Sequence, residues 1–158
     1  MKSTIDKILG GFLALLMAVM TLDVLYGVFT RYVLGDQPGW TEEVARFLLI
    51  WIGILGAAYA SGQGNHLSID LISGKLTDAN NKRLSVFVNL LILAFAIGVL
   101  IVGGIRLIYI TSYLGQTSPA LKLPMSIIYS VLPLSGLLIV VYKLMAFFNK
   151  TRTTPEAA

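Results

Sequence analysis

Cysteine is absent from this 158-residue chain, and histidine occurs once, at His66. The first absence excludes disulfide staples and thiolate metal sites. The second leaves nothing to ligate a haem from two sides or to build a multi-histidine metal centre. Charge is scarce too, at 13% of residues. No nucleophile, base and orienting group can be assembled around the lone histidine, which has no serine elbow beside it. Gly62-Gln63-Gly64 lacks the lysine and the following serine or threonine of a phosphate-binding loop. The sequence therefore predicts neither an enzyme nor a cofactor or metal site. The formal charge of +4 does not point to nucleic acid, because the basic residues sit at the borders of apolar runs, where membrane orientation signals are found.

What the chain does have is apolar length. It is 56% hydrophobic with a mean hydropathy of +0.81, more than a soluble domain of this size can bury. Apolar runs extend from Ile8 to Leu34, Val44 to Ser61, Leu84 to Leu114 and Met125 to Phe148, each close to or beyond the roughly 17–25 residues that cross hydrocarbon. The expected fold is an all-α integral membrane protein with four transmembrane helices. Residues 1–150 read as one domain, and 151–158 as a flexible tail on the cytoplasmic side. Lys2 and Lys7 before the first run raise the possibility of a signal peptide, but the run exceeds an h-region and closes without a small-x-small site, so it is expected to stay in the mature protein.

Lys2, Lys7, Lys75, Lys82, Arg83, Lys143, Lys150 and Arg152 cluster on one set of borders, against Arg31, Arg46, Arg106 and Lys122 on the other. The positive-inside bias predicts both termini in the cytoplasm, with the Arg31–Arg46 and Gly115–Pro124 connections together outside. Leu67 to Leu76 is too short to span and carries apolar Leu67, Leu71, Ile72 and Leu76, which predicts a short interfacial helix between helices 2 and 3. His66 and Asp70 lie four apart there, in reach of a local hydrogen bond. Helix 3, at about 46 Å for its 31 residues, should tilt or project beyond about 30 Å of hydrocarbon. Pro133 removes a bond to the Tyr129 carbonyl and should kink helix 4.

Three positions carry the remaining chemistry. In Trp40-Thr41-Glu42-Glu43-Val44-Ala45-Arg46, helical spacing puts Trp40, Val44, Phe47 and Trp51 on one stripe and Glu42, Glu43 and Arg46 on the other, which predicts one packed and one charged face. Both glutamates precede Arg46 in the order that favours intrahelical pairing. This is either a helix start at the headgroups or a docking surface, together with Asp36 and Lys122 on the same side of the membrane. Asp23, about 22 Å above Ile8, is an acid inside a span and is costly unless paired, hydrated or neutral. It is an ion or proton site, or a structural contact with Arg106, Arg46 or a partner subunit. A transport site at the midplane would want converging ligands or a broken helix, and helix 1 has neither a proline nor a second acid. Arg106, about 33 Å beyond Leu84, reads as an interfacial anchor.

These residues resemble a known family across nearly the whole chain: the small membrane subunits of tripartite ATP-independent periplasmic (TRAP) transporters. The likeness rests on Arg31-Tyr32, then Trp40, Glu42, Glu43, Arg46 and Trp51, then Gly64, His66 and Asp70, then Ser118-Pro119-Ala120-Leu121 with Pro124, Tyr129 and Pro133. It is greatest to the sialic acid type, although no motif encodes the sugar. The resemblance implies a multi-pass protein of the bacterial inner membrane that scaffolds a large elevator-type subunit. That subunit would hold the sodium ions and move an organic acid delivered by a periplasmic substrate-binding protein. Asp23 lies outside the family pattern. The alternative is a four-helix small multidrug-type exporter acting as a homodimer, which would also carry an acid in helix 1 but leaves the charged outer segment unexplained. A respiratory quinone or haem anchor would need intramembrane histidines, which the chain lacks.

Overall fold

The computed structural model describes residues 2–63 and 78–152. Helix α1 (Lys2–Phe29) closes in a widened π-type turn (Thr30–Leu34), and α2 runs from Gly39 to Gln63. Helix α3 (Asp78–Phe95) passes through a π-type segment (Ala96–Gly103) into α4 (Gly104–Tyr113). After a folded connection come the short α5 (Met125–Tyr129) and α6 (Val131–Arg152). Among the described residues, four stretches are long and apolar enough to cross a membrane: Ser3–Leu34, Gly39–Gln63, Val86–Tyr113 and Met125–Met145. The interfacial helix expected over Leu67 to Leu76, with His66 and Asp70, lies outside the described residues, as do residues 153–158 of the tail.

The fourth span breaks where sequence places the kink. Ser130 separates α5 from α6, and the Ser130 carbonyl accepts from Leu134 N–H at 3.3 Å just past the proline. The third span is helical without a gap from Asp78 to Tyr113, but its middle widens to π-type winding through a glycine-bearing stretch, which sequence reading does not anticipate.

Helix α1 packs on α2, α2 on α6, and α6 on the π-type segment of the third span, so α2 and α6 form the centre. One core cluster joins Leu9, Leu55, Val131 and Tyr142; a second joins Ala58, Ala96 and Ile139. Small residues at the second crossing let backbones approach, which is how membrane helices associate when lipid offers no hydrophobic drive between them. For the same reason large apolar side chains on α1 and the third span, such as Leu22 (66% exposed) and Phe87 (61% exposed), face outward.

The expected packing stripe of α2 is corrected at its start. Trp40 is 41% exposed and stacks on Tyr26 with ring centroids 5.7 Å apart, while Thr41 and Glu43 are buried beside it. A stripe of apolar residues marks the core only where the surroundings are water; in a bilayer the polar groups are the ones that must find protein partners. Further along, Trp51 does join the core around Leu55.

Elsewhere the bundle is tied by Tyr142, Asp6 and Asn89, to which sequence assigns no role, and by Lys143 of the basic border. Tyr142 Oη donates to Asp6 Oδ1 at 2.7 Å, bridging α6 to α1, and Lys143 Nζ donates to Asn89 Oδ1 at 2.8 Å, bridging α6 to α3.

Candidate functional site

Two turns bring the first and third connections to one end of the bundle. Gly35 (φ 77°) ends α1, and Gly115 (φ 60°) ends α4, both in left-handed conformations that cost a residue with a Cβ. Beyond Gly35, Pro38 sets up the start of α2: its carbonyl accepts from the Thr41 N–H at 3.1 Å and from the Thr41 hydroxyl at 2.9 Å. Gln37 Nε2 donates to the same hydroxyl at 3.1 Å.

The third connection folds on itself around buried Ser118. Ser118 N–H donates to the Leu123 carbonyl at 2.9 Å, and Lys122 N–H to the Ser118 carbonyl at 3.1 Å. The Leu123 N–H reaches Ser118 Oγ at 3.3 Å. Lys122 itself takes a left-handed φ of 52°, which an L side chain adopts only when its surroundings hold it there. This curl turns the consecutive N–H groups of Ala120 and Leu121 toward α2, where they meet Glu43: Ala120 N–H donates to Oε1 at 2.9 Å, and Leu121 N–H to Oε2 at 3.0 Å. Adjacent backbone N–H groups of this kind form a cradle for an anion, and here the anion is a side chain of the protein. Glu43 thus clamps two connections 77 residues apart in sequence. Its oxygens are taken by the loop rather than by Arg46.

Other charged residues singled out from sequence lie on the same two connections and on the helices that lead to them. Asp36, Glu42, Arg46 and Lys122 are exposed, giving both signs of charge on one end. Arg106 is exposed on α4. Asp23 lies deeper and is 9% exposed, with its Oδ2 buried and without a hydrogen-bond partner among the described residues. It lines a cavity of about 310 Å³ between the ends of α1 and α2, together with Gly27, Arg31, Gln37, Thr41 and Glu42. Neither Arg46 nor Arg106, the intrachain partners weighed for Asp23, lines that cavity. Among the described residues no three metal-ligating side chains come together. The arrangement can present a rigid, mixed-charge face and hold a cation beside Asp23.

Comparison with known proteins agrees with this architecture. Residues 9–153 match the family "Tripartite ATP-independent periplasmic transporters, DctQ component". The chain is 30% identical over 119 residues to the C4-dicarboxylate TRAP transporter small permease protein DctQ of Rhodobacter capsulatus, covering 75% of this chain and 52% of that protein. It is 33% identical over 130 residues to the isethionate TRAP transporter permease protein DctMQ of Oleidesulfovibrio alaskensis, covering 81% of this chain and 20% of that protein. To the sialic acid TRAP transporter small permease protein SiaQ of Vibrio cholerae it is 34% identical over 90 residues, 56% of this chain and 51% of that one. The chain thus spans about half or less of the length of these curated relatives, which are transporter subunits rather than enzymes. With four membrane-crossing helices and a family match over nearly its whole length, this chain is a multi-pass protein of the bacterial inner membrane and belongs to the DctQ component family of TRAP transporters.

Proposed function

We propose that this chain is the small membrane subunit of a TRAP transporter, scaffolding a large membrane subunit and helping to dock a periplasmic substrate-binding protein for sodium-driven uptake of an organic acid. The observation that carries the reading is the Glu43 clamp. It makes one end of the bundle a fixed platform bearing Asp36, Glu42 and Lys122, as a soluble partner would require. The sodium site and the moving parts belong to the large subunit. In proteoliposomes the expected result is no uptake by this chain alone and sodium-dependent uptake when the large subunit and the binding protein are added. Accumulation by the chain alone would sink the scaffold reading in favour of a small exporter.

Sialic acid is the substrate we put first, supported by the likeness to a small permease protein named for it. Other relatives are named for a C4-dicarboxylate and for isethionate, so the discriminating measurement is uptake of labelled sialic acid against those two.

The platform end is proposed to face the periplasm, with both termini in the cytoplasm, on the strength of the lysine and arginine bias. Cysteines placed at Gln37 and Gln116 should react with an impermeant thiol reagent in intact cells, and one at Ser73 should not. Labelling of Ser73 alone would invert the topology.

Docking should depend on the exposed charges of that platform. Pairs of this type steer association and are worth only about 0–1 kcal/mol each when exposed. Reversing Asp36 and Lys122 together (Asp36→Lys, Lys122→Glu) should raise the binding-protein concentration needed for half-maximal uptake a few-fold at low salt and less at high salt, without loss of membrane assembly. An unchanged curve at both ionic strengths would move the docking site elsewhere.

A further inference from the structure

We infer that the cavity beside Asp23 is the seat for a lysine or arginine side chain supplied by another membrane-embedded chain; the inference rests on the reading of this protein as one subunit of a membrane complex. The carboxylate lines a cavity of about 310 Å³. Its Oδ2 is buried and meets no hydrogen-bond donor among the described residues, and the cavity is the open space beside the carboxylate. Asp23 lies eleven residues before the end of the first span at Leu34, about 16 Å below it along the helix axis, a depth at which an uncompensated carboxylate is costly.

The shape and chemistry of the cavity favour an organic cation over a bare ion. Its volume equals roughly ten water molecules at about 30 Å³ each, far more than one dehydrated metal ion fills. A metal ion would also need several oxygen ligands. Thr41, which lines the same space, already donates its hydroxyl to Pro38 and accepts from Gln37, so beside Asp23 it offers little. An ammonium or guanidinium group brings its own donors and needs only the carboxylate.

The walls say from where it comes. Val24 and Val28 line the cavity and are 43% and 49% exposed, so its flank is apolar surface of the kind a neighbouring membrane chain covers. Gly27 lets Gln37 and Thr41 pack closely over α1 at this wall: a Cβ there would lie 3.0 Å from Gln37 Nε2 and 3.3 Å from Thr41 Oγ1. Arg31 and Glu42, of opposite charge, also line the cavity, and Arg31 gives no hydrogen bond to Asp23 Oδ2.

The test compares Asp23→Asn in the isolated chain and in the complex with the co-expressed large subunit, both in detergent. A buried charge waiting for a partner costs the isolated chain and stabilises the assembly. Asp23→Asn should therefore leave the melting temperature of the isolated chain unchanged or higher, while the large subunit retained on affinity purification falls by about tenfold. The same loss should appear in an Arg31→Gln background, which removes the cation nearest in sequence. Normal retention by Asp23→Asn would overturn the inference, and so would an equal destabilisation of the isolated chain. Disappearance of the effect in Arg31→Gln would assign the contact to Arg31 instead. If the wild-type chain itself fails to retain the large subunit, the subunit reading fails and this inference with it, a result that the wild-type control separates from the others.

Discussion

Replacing Glu43 with glutamine should release the third connection from α2 and cost the protein both stability and coupling to its soluble partner. The carboxylate accepts the Ala120 and Leu121 N–H groups, one on each oxygen, at 2.9 and 3.0 Å, and the Ser118 hydroxyl bonds to it as well. Glutamine keeps a single acceptor and turns an NH₂ donor toward an N–H group. One of the two backbone donors is then left facing a donor, and the attraction of the negative charge for the cradle is gone. Glu43→Ala removes both. We expect the glutamine variant of the isolated chain to melt lower by on the order of 5 °C, and the alanine variant lower still. Uptake should fall more than assembly does, because α1, α2 and α6 still pack through Leu9, Leu55 and Tyr142. Glu42→Gln is the matched control: Glu42 is exposed at the cavity rim, and its replacement should leave the melting temperature where it was. Equal melting of Glu43→Gln and wild type would show that the loop holds its curl through Ser118 and Leu123 without help from α2.

The physics of the bilayer explains which parts of this structure could be read in advance. The four spans were legible because hydrocarbon demands a minimum apolar length, and a run such as Leu84 to Leu114 has no other use. The break at Ser130 was legible because proline removes a specific hydrogen bond. The Glu43 bond to the third connection places the first and third connections at one end, as four consecutive spans require. The role of Glu43 was not legible. Two of its partners are backbone N–H groups, which every residue but proline carries, so nothing in Ala120-Leu121 announces them. Helical spacing assigned Glu43 to a charged face, whereas a loop arriving from 77 residues away covers it. The π-type segment at Ala96–Gly103 was hidden for a related reason: an uninterrupted apolar run has the same composition whether it winds with 3.6 residues per turn or more. Tyr142 and Asp6 escaped notice because a single tyrosine and a single acid at opposite ends of a sequence carry no pattern until the fold sets them 2.7 Å apart.

Adding one methyl group at Gly136 should damage the centre of the bundle more than larger changes on its surface. Gly136 lies on α6 where it crosses the π-type segment of the third span. A Cβ there would fall 2.7 Å from Ile101 Cγ1 and 3.0 Å from both the Ala96 carbonyl oxygen and Leu100 Cβ. None of these is the free end of a flexible side chain, so the helices themselves must part. Ala96 and Ile139 are almost fully buried at this crossing, and separating the helices opens their contact. Overpacking of this kind costs about 1–3 kcal/mol for a small addition, and more when backbone has to move. Gly136→Ala should therefore lower the melting temperature of the isolated chain by several degrees, and Gly136→Val should abolish a cooperative transition. Gly53, on α2 with open space where its Cβ would go, supplies the comparison: Gly53→Ala should be neutral or slightly stabilising, since alanine is the better helix former. A Gly136→Ala variant that melts like wild type would mean that the third span can rewind its π-type turns into a regular helix and move aside. Amide exchange over Ala96–Gly103 would then change in protection while the rest of the third span did not.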